Sequence, residues 1–239
     1  MLAYIRIFLT GIWVALSCLI GIIVGLLRPF DPRNVKITCT LLGLARYILG
    51  VKFELRNADL LEKSRPCVFI SNHQDNMDIF PGSFTVPKYT VTVGKKSILY
   101  IPFFGLFYWL SGNLLIDRSN KKKAFETMDT AANAIKYKKI SVWIMPEGTR
   151  SRGRGVLPFK KGPFLTAIKA QVPIVPVAFS SYTSKLNLNK WNAGKIIIDV
   201  LPPISTSGLT LSDVNEVKDQ AFHVIAHAVS VLDQELASE

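Results

Sequence analysis

Between residues 7 and 27 no charged side chain interrupts the chain, and that run constrains the fold of its end of the molecule more than any other feature. Roughly 20 apolar residues are what a helix needs to cross a hydrocarbon core of about 30 Å, so a membrane helix is expected here. A cleaved signal peptide is disfavoured, because the run is too long and no small-x-small cleavage site precedes the break at Arg28, Pro29, Phe30, Asp31 and Pro32. Arg6 lies before the run, whereas Arg28, Arg33 and Lys36 follow it, so the positive-inside rule leaves the rest of the chain in the cytoplasm. Residues 37–49 form a second apolar, helix-compatible stretch with Arg46 inside it, which keeps an alternative open: two helices lying in one leaflet.

After Gly50 the pattern changes to short apolar runs separated by polar or Pro/Gly breaks, the signature of an α/β domain. Strands are expected near residues 51–55, 67–70, 89–93, 114–116, 140–144, 174–179 and 195–201, in a central mixed sheet flanked by helices. Residues 121–137 and 211–236 carry apolar side chains at helical spacing, the second opened by Ser212 and Asp213 as possible caps. The 239 residues thus divide into an N-terminal membrane-anchoring element, 1–50, and one α/β domain, 51–239. Residues 98–116 also lack charge, but Pro102, Gly105, Gly112 and Asn113 interrupt them. A crossing there would separate residues 73 and 118 by a bilayer. Residues 100–110, with Phe103, Phe104, Phe107, Tyr108 and Trp109, are therefore expected as an exposed apolar patch that meets the bilayer or lines the acyl-chain entrance, with ordinary core as the competing reading.

A formal net charge of +12 favours anionic partners. There is no zinc-finger spacing, no aromatic RNA-binding motif and no basic recognition helix, so nucleic acid is not expected and a membrane surface is. Cys18, Cys39 and Cys67 are odd in number and scattered, which suggests neither a disulfide framework nor a metal site. His223 and His227 lie one helical turn apart without an evident third ligand, and read as helix surface.

The candidate chemistry is concentrated in residues 68–78, where a short apolar strand ends in Ser71, Asn72, His73, Gln74, Asp75, Asn76, Met77 and Asp78. The C-terminal ends of strands in open α/β sheets are where sites commonly lie, and a histidine there suits general-base work near neutral pH. Asp75 and Asp78 both lie near enough to orient it. On a straight helix the offset from His73 to Asp78 turns the side chains roughly 140° apart, so that pair needs an irregular turn. Taken alone, these residues read equally well as turn and helix-cap chemistry.

The segment resembles the Asn-His-x4-Asp motif of the glycerolipid acyltransferases. Three further blocks similar to that family follow in its order: Gly112-Asn113-Leu114-Leu115-Ile116-Asp117-Arg118, then Met145-Pro146-Glu147-Gly148-Thr149-Arg150-Ser151, then Val172-Pro173-Ile174-Val175-Pro176-Val177. The similarity runs over nearly the whole chain and looks greatest to the bacterial 1-acyl-sn-glycerol-3-phosphate acyltransferases; Met145 stands where phenylalanine is usual. The resemblance implies a membrane-bound enzyme of phospholipid biosynthesis on the cytoplasmic face of the inner membrane. It would transfer an acyl group from acyl-coenzyme A or acyl carrier protein to lysophosphatidic acid, giving phosphatidic acid, with no metal or bound organic cofactor. It further implies His73 as general base, Asp78 as its orienting partner, and Asn72, Arg118, Glu147, Gly148, Thr149 and Arg150 as substrate contacts. Two alternatives stay open: a different lysolipid acceptor, and a noncatalytic protein that binds anionic lipid. Cys67 as an acyl-carrying nucleophile is the rival mechanism, disfavoured because an apolar strand raises a thiol pKa. The basic run Ser151-Arg152-Gly153-Arg154-Gly155, followed by Lys160-Lys161-Gly162, reads first as a solvated surface, with a mobile loop that draws in phosphates or lies on anionic headgroups as the alternative.

Overall fold

A computed structural model describes residues 1–238. Two helices, α1 (Leu2–Leu27) and α2 (Arg33–Leu49), precede the sheet. The sheet strands are β1 (Val51–Arg56), β2 (Val68–Ser71), β3 (Thr90–Lys95), β4 (Leu114–Ile116), β5 (Ser141–Ile144), β6 (Ile174–Phe179) and β7 (Gly194–Val200). The intervening helices are α3 (Asp59–Lys63), α4 (Ile79–Thr85), α5 (Phe104–Leu110), α6 (Lys121–Lys138) and α7 (Gly162–Ala170), and α8 (Val214–Ser238) closes the chain. All seven expected strands are present with ends displaced by a residue or two. The last helix, expected from residue 211, is preceded by a 3-10 turn over Leu211–Asp213 that Thr210, not Ser212, caps, exchanging hydrogen bonds with Asp213.

The strand order is β1-β7-β6-β2-β5-β3-β4, with every pair parallel except β6–β7. Every residue of β2, β5 and β6 is buried, so both faces of the centre of the sheet are covered. One group of helices, α6, α7 and α8, packs on β2, β4, β5 and β6; α2 and α4 pack together, with α2 reaching β1 and β3. Because β2, β3, β4, β5 and β6 all run the same way, the loops leaving them gather along one edge. β2 is the central strand, and the chain crosses over it between β5 and β6, so its C-terminal end is a topological switch point.

Helix α1 is long and apolar enough to cross a membrane by length and composition, and most of its 26 residues are not buried. Tyr4, Phe8, Ile23, Leu26 and Leu27 are all exposed. Yet both of its ends rest on the rest of the molecule. Near its start the buried Arg6 holds the β6–β7 loop through the carbonyls of Leu188, Lys190 and Trp191. In its middle, Trp13 Nε1 donates to the Leu41 carbonyl of α2 at 2.7 Å. Just past its end, Phe30 N–H donates to the Leu110 carbonyl at 2.8 Å. At Gly21 and Gly25 added Cβ atoms would lie 2.6 Å from Phe107 and 2.8 Å from Leu110, so small residues let α5 approach this closely. Both ends of α1 are thus tied to one globular body. The apolar patch after β3 divides as an amphipathic segment should: Phe107, Tyr108 and Leu110 are buried while Tyr100, Ile101, Phe103, Leu106 and Trp109 are exposed.

Candidate active site

His73 leaves the end of β2 and meets Asp78 in the manner the five-residue spacing demanded. Residues Asn76–Asp78 form a single 3-10 turn rather than a continuous helix, with Asp75 capping it by accepting the Met77 N–H. That tight turn swings Asp78 back, and His73 Nδ1 lies 2.6 Å from Asp78 Oδ2. Asp75, the other candidate partner, is thus a capping residue. Asp78 Oδ2 also accepts the backbone N–H groups of Gln74 at 2.6 Å and Asp75 at 3.0 Å, and Oδ1 accepts the Tyr182 hydroxyl at 2.6 Å. A carboxylate ringed by donors acts as an acceptor, so the hydrogen-bond network assigns the proton to His73 Nδ1 and leaves the Nε2 lone pair available. Asp78 is 2% exposed at its side chain and His73 18%: the orienting group is sealed and the base is not.

Tyr182 is a residue the sequence reading missed. It follows β6, 104 residues from Asp78, and no local pattern links the two. Its hydroxyl is held well above its ordinary pKa by burial first and then by the charge of Asp78, so it remains a proton donor. Gln74 ties the same loop down: its Nε2 donates to the Ser180 carbonyl at 2.9 Å, and its Oε1 accepts the Tyr182 N–H at 3.2 Å. Tyr182→Phe removes a hydrogen bond to a charged acceptor, of order 1.5–3 kcal/mol. Steady-state kinetics of the variant are expected to show kcat lowered by about tenfold or more with KM unchanged. A rise in KM alone would make Tyr182 a substrate contact instead.

Two residues expected to touch substrate are found bonded to backbone. Asn72 is buried, its Oδ1 accepting the Phe179 N–H at 2.8 Å and its Nδ2 donating to the Phe179 carbonyl at 2.9 Å, a clamp between β2 and β6. Glu147 is also buried; its Oε1 accepts the His73 N–H at 2.6 Å and its Oε2 the Leu157 N–H at 3.0 Å. Both ends of each side chain are thus engaged by backbone groups, Glu147 at His73 itself. Glu147 reaches His73 because β5 lies beside β2 in parallel register, Ile144 opposite Ile70. The same loop is stitched on by Ser151 N–H to the His73 carbonyl, 2.8 Å, and Arg152 N–H to the Gln74 carbonyl, 3.0 Å. The basic run is therefore hydrogen-bonded to the His73 loop at its first two residues.

Burial raises the Glu147 carboxyl from an ordinary 4.5 to about 7, opposed by its two backbone donors and reinforced by the charge of Asp78. Because the folded-state value is the higher one, this group favours the fold most below the unfolded value and loses that contribution as pH rises through about 7, by roughly 3 kcal/mol in all. The stability of the wild type relative to Glu147→Gln, followed by urea denaturation, is expected to fall between about pH 5 and about pH 8. A difference flat across that range would rule out the titration.

The remaining motif residues face outward. Gly148, at φ +67°, takes the left-handed conformation that a turn from Met145 to Gly148 requires, and Arg118 donates to its carbonyl. Thr149 and Arg150 are exposed beside it. Desolvation, and more weakly the nearby positive charge of Arg150, push the Arg118 guanidinium below its ordinary value, against an opposing influence from Tyr108. Two guanidinium groups thus share one side of the site, an arrangement suited to a doubly charged phosphate. Cys67 immediately precedes β2, about 13 Å from its C-terminal residue Ser71 at the usual rise. It is fully buried, its thiol is pushed up to about 12, mainly by burial, and it is bonded to Ser141, which removes it as a nucleophile. Among the described residues no cluster of three or more histidine, cysteine or acidic side chains could hold a metal ion.

Comparison with known proteins bears on this geometry. A family model described as Acyltransferase matches residues 52–180, which include every outward- and inward-facing motif residue above. The 1-acyl-sn-glycerol-3-phosphate acyltransferase of Haemophilus influenzae is 42% identical over 237 residues, 99% of this chain and 99% of that protein. The Escherichia coli protein of the same name is 44% identical over 237 residues, covering 99% of this chain and 94% of the relative. The mouse 1-acyl-sn-glycerol-3-phosphate acyltransferase alpha is 36% identical over 214 residues, covering 88% and 75%. Among solved structures, the 1-acyl-sn-glycerophosphate (LPA) acyltransferase of Thermotoga maritima superposes with a TM-score of 0.76 over 97% of this chain and 94% of that one, at 20% identity, a likeness of fold.

Proposed function

The chain belongs to the acyltransferase family, and from that premise we propose that it acylates the sn-2 hydroxyl of 1-acyl-sn-glycerol 3-phosphate, forming phosphatidic acid. The observation that carries the reading is the His73–Asp78 pair, 2.6 Å apart, with Nε2 of His73 directed away from the carboxylate. Nε2 takes the proton of the acceptor hydroxyl as its oxygen forms a bond to the thioester carbon, and Asp78 stabilises the imidazolium. Collapse of the tetrahedral adduct breaks the carbon–sulfur bond, and His73 returns the proton to the departing thiolate. The thioester is reactive enough that no acyl-enzyme is needed. Asn72, Glu147, Gln74 and Tyr182 hold the pair in register, while Arg118 and Arg150, with the turn at Gly148 and Thr149, receive the phosphate. No metal or bound organic cofactor is required, and acyl-coenzyme A or acyl carrier protein serves as a dissociable donor.

The exposed apolar faces of α1 and α5 supply the membrane contact, on the cytoplasmic side of the inner membrane, with α1, pinned at both ends to the globular body, lying along the interface rather than crossing it. Both substrates with long chains then reach the site from the bilayer while the donor headgroup arrives from water. Incubating the protein with lysophosphatidic acid and labelled acyl-coenzyme A, with acyl carrier protein thioester in parallel, is expected to give labelled phosphatidic acid with at least one donor. Folded protein inactive with both donors would overturn the reading and point to another lysolipid.

A further inference from the structure

At the far end of α1 from α5, three segments are locked together. The Arg6 guanidinium donates to the carbonyls of Leu188 at 3.2 Å, Lys190 at 2.6 Å and Trp191 at 2.7 Å. Asn189 Oδ1 accepts the Ala3 N–H at 3.1 Å, and the Ala193 N–H donates to the Gly50 carbonyl at 2.8 Å. Gly50 ends α2 at φ +68°, and a Cβ there would lie 2.3 Å from Arg6 Nη2 and 2.6 Å from the Trp191 carbonyl, so only glycine lets the three segments close.

Beside this junction is a surface cleft of about 350 Å3 lined by residues that include Arg46, Tyr47, Lys52, Phe53 and Asn192 and by no carboxylate. The Arg46 guanidinium lies 4.7 Å from the ring centre of Tyr47 and 4.4 Å from that of Phe84, and donates to the Tyr47 hydroxyl at 2.7 Å. Stacking fixes this cation without neutralising it. Tyr47 is 68% exposed, and Trp191, next to the lining residue Asn192, is 85% exposed.

We propose that this cleft is a headgroup site for an acidic glycerophospholipid of the membrane, separate from the active site, with the phosphate held between Arg46 and Lys52. The inference rests on the reading of α1 as an interfacial helix. Two features select a lipid as occupant. The cleft is cationic and lacks acidic side chains, which complements an anionic headgroup. It is also flanked by the exposed Tyr47 and Trp191, and tyrosine and tryptophan are the side chains that settle at headgroup depth. A guanidinium already fixed by two rings loses little freedom on binding phosphate.

Trp191 makes the proposal testable in the whole protein. The chain has four tryptophans, and subtracting the emission of Trp191→Phe isolates this one. With vesicles of phosphatidylcholine doped with brominated phosphatidylglycerol, Trp191 is expected to be quenched more strongly than with brominated phosphatidylcholine. Lys52→Gln, an exposed change, should reduce that preference by about five-fold, the effect of one cation near an anionic surface. Inorganic phosphate without vesicles should leave the emission unaltered. Equal quenching by both brominated lipids, or none in a protein that binds the vesicles, would overturn the acidic-lipid site while leaving acyl transfer on the same vesicles intact. Failure of the protein to bind vesicles at all would instead remove the interfacial reading on which the site depends.

Discussion

Replacing His73 with alanine is expected to lower kcat by at least about 10²- to 10⁴-fold, the usual worth of a positioned general base. KM for lysophosphatidic acid should change little, since the acceptor phosphate is received elsewhere. The loss should be confined to chemistry. Asp78 would keep its donors from Gln74, Asp75 and Tyr182, so the turn that carries it stays satisfied in the variant. Cys67→Ser should retain full activity, because that thiol is protonated and buried at the opposite end of β2. Single-turnover measurements with labelled donor separate the outcomes. Robust transfer by His73→Ala would reject the base assignment, and a labelled protein intermediate lost in Cys67→Ser would revive the covalent route.

Arg150→Ala is expected to raise KM for lysophosphatidic acid by roughly 10- to 100-fold, from charge-assisted hydrogen bonds of about 1.5–3 kcal/mol to the acceptor phosphate. Lysine at this position should recover only part of the loss, because a point charge cannot reproduce the planar fork. Arg118→Ala should show a comparable rise accompanied by a fall in kcat. Its side chain also donates to the Gly148 carbonyl, in the same turn that carries Glu147 and so the backbone of His73. Titrating the acceptor at saturating donor gives the two constants separately. An unchanged KM with kcat lost in Arg150→Ala would place that guanidinium at the reacting centre, on the developing oxyanion, rather than on the phosphate.

The local architecture was legible in the residues because it is set by short-range periodicity and by breakers. Seven apolar runs bounded by Gly, Pro and polar clusters became seven strands, and the offset between His73 and Asp78 already required the irregular turn that Asp75 caps. The glycine at 148, next to a glutamate and two residues before an arginine, likewise announced a tight turn at a strand end.

What could not be read locally depended on which strands become neighbours. Glu147 and Asn72 look in sequence like ligand-facing polar residues. Only the parallel pairing of β2 with β5 and β6 puts backbone N–H groups within their reach and turns them inward. Tyr182 had no signal at all, because its partner is brought to it by the sheet and not by spacing. The same holds for the membrane element. Hydropathy determined that residues 7–27 form an apolar helix, since burial of that much surface depends on composition alone. How the start of that helix is tied to the rest of the molecule was decided by Arg6 gripping a loop more than 180 residues away, a contact that exists only once the chain has folded.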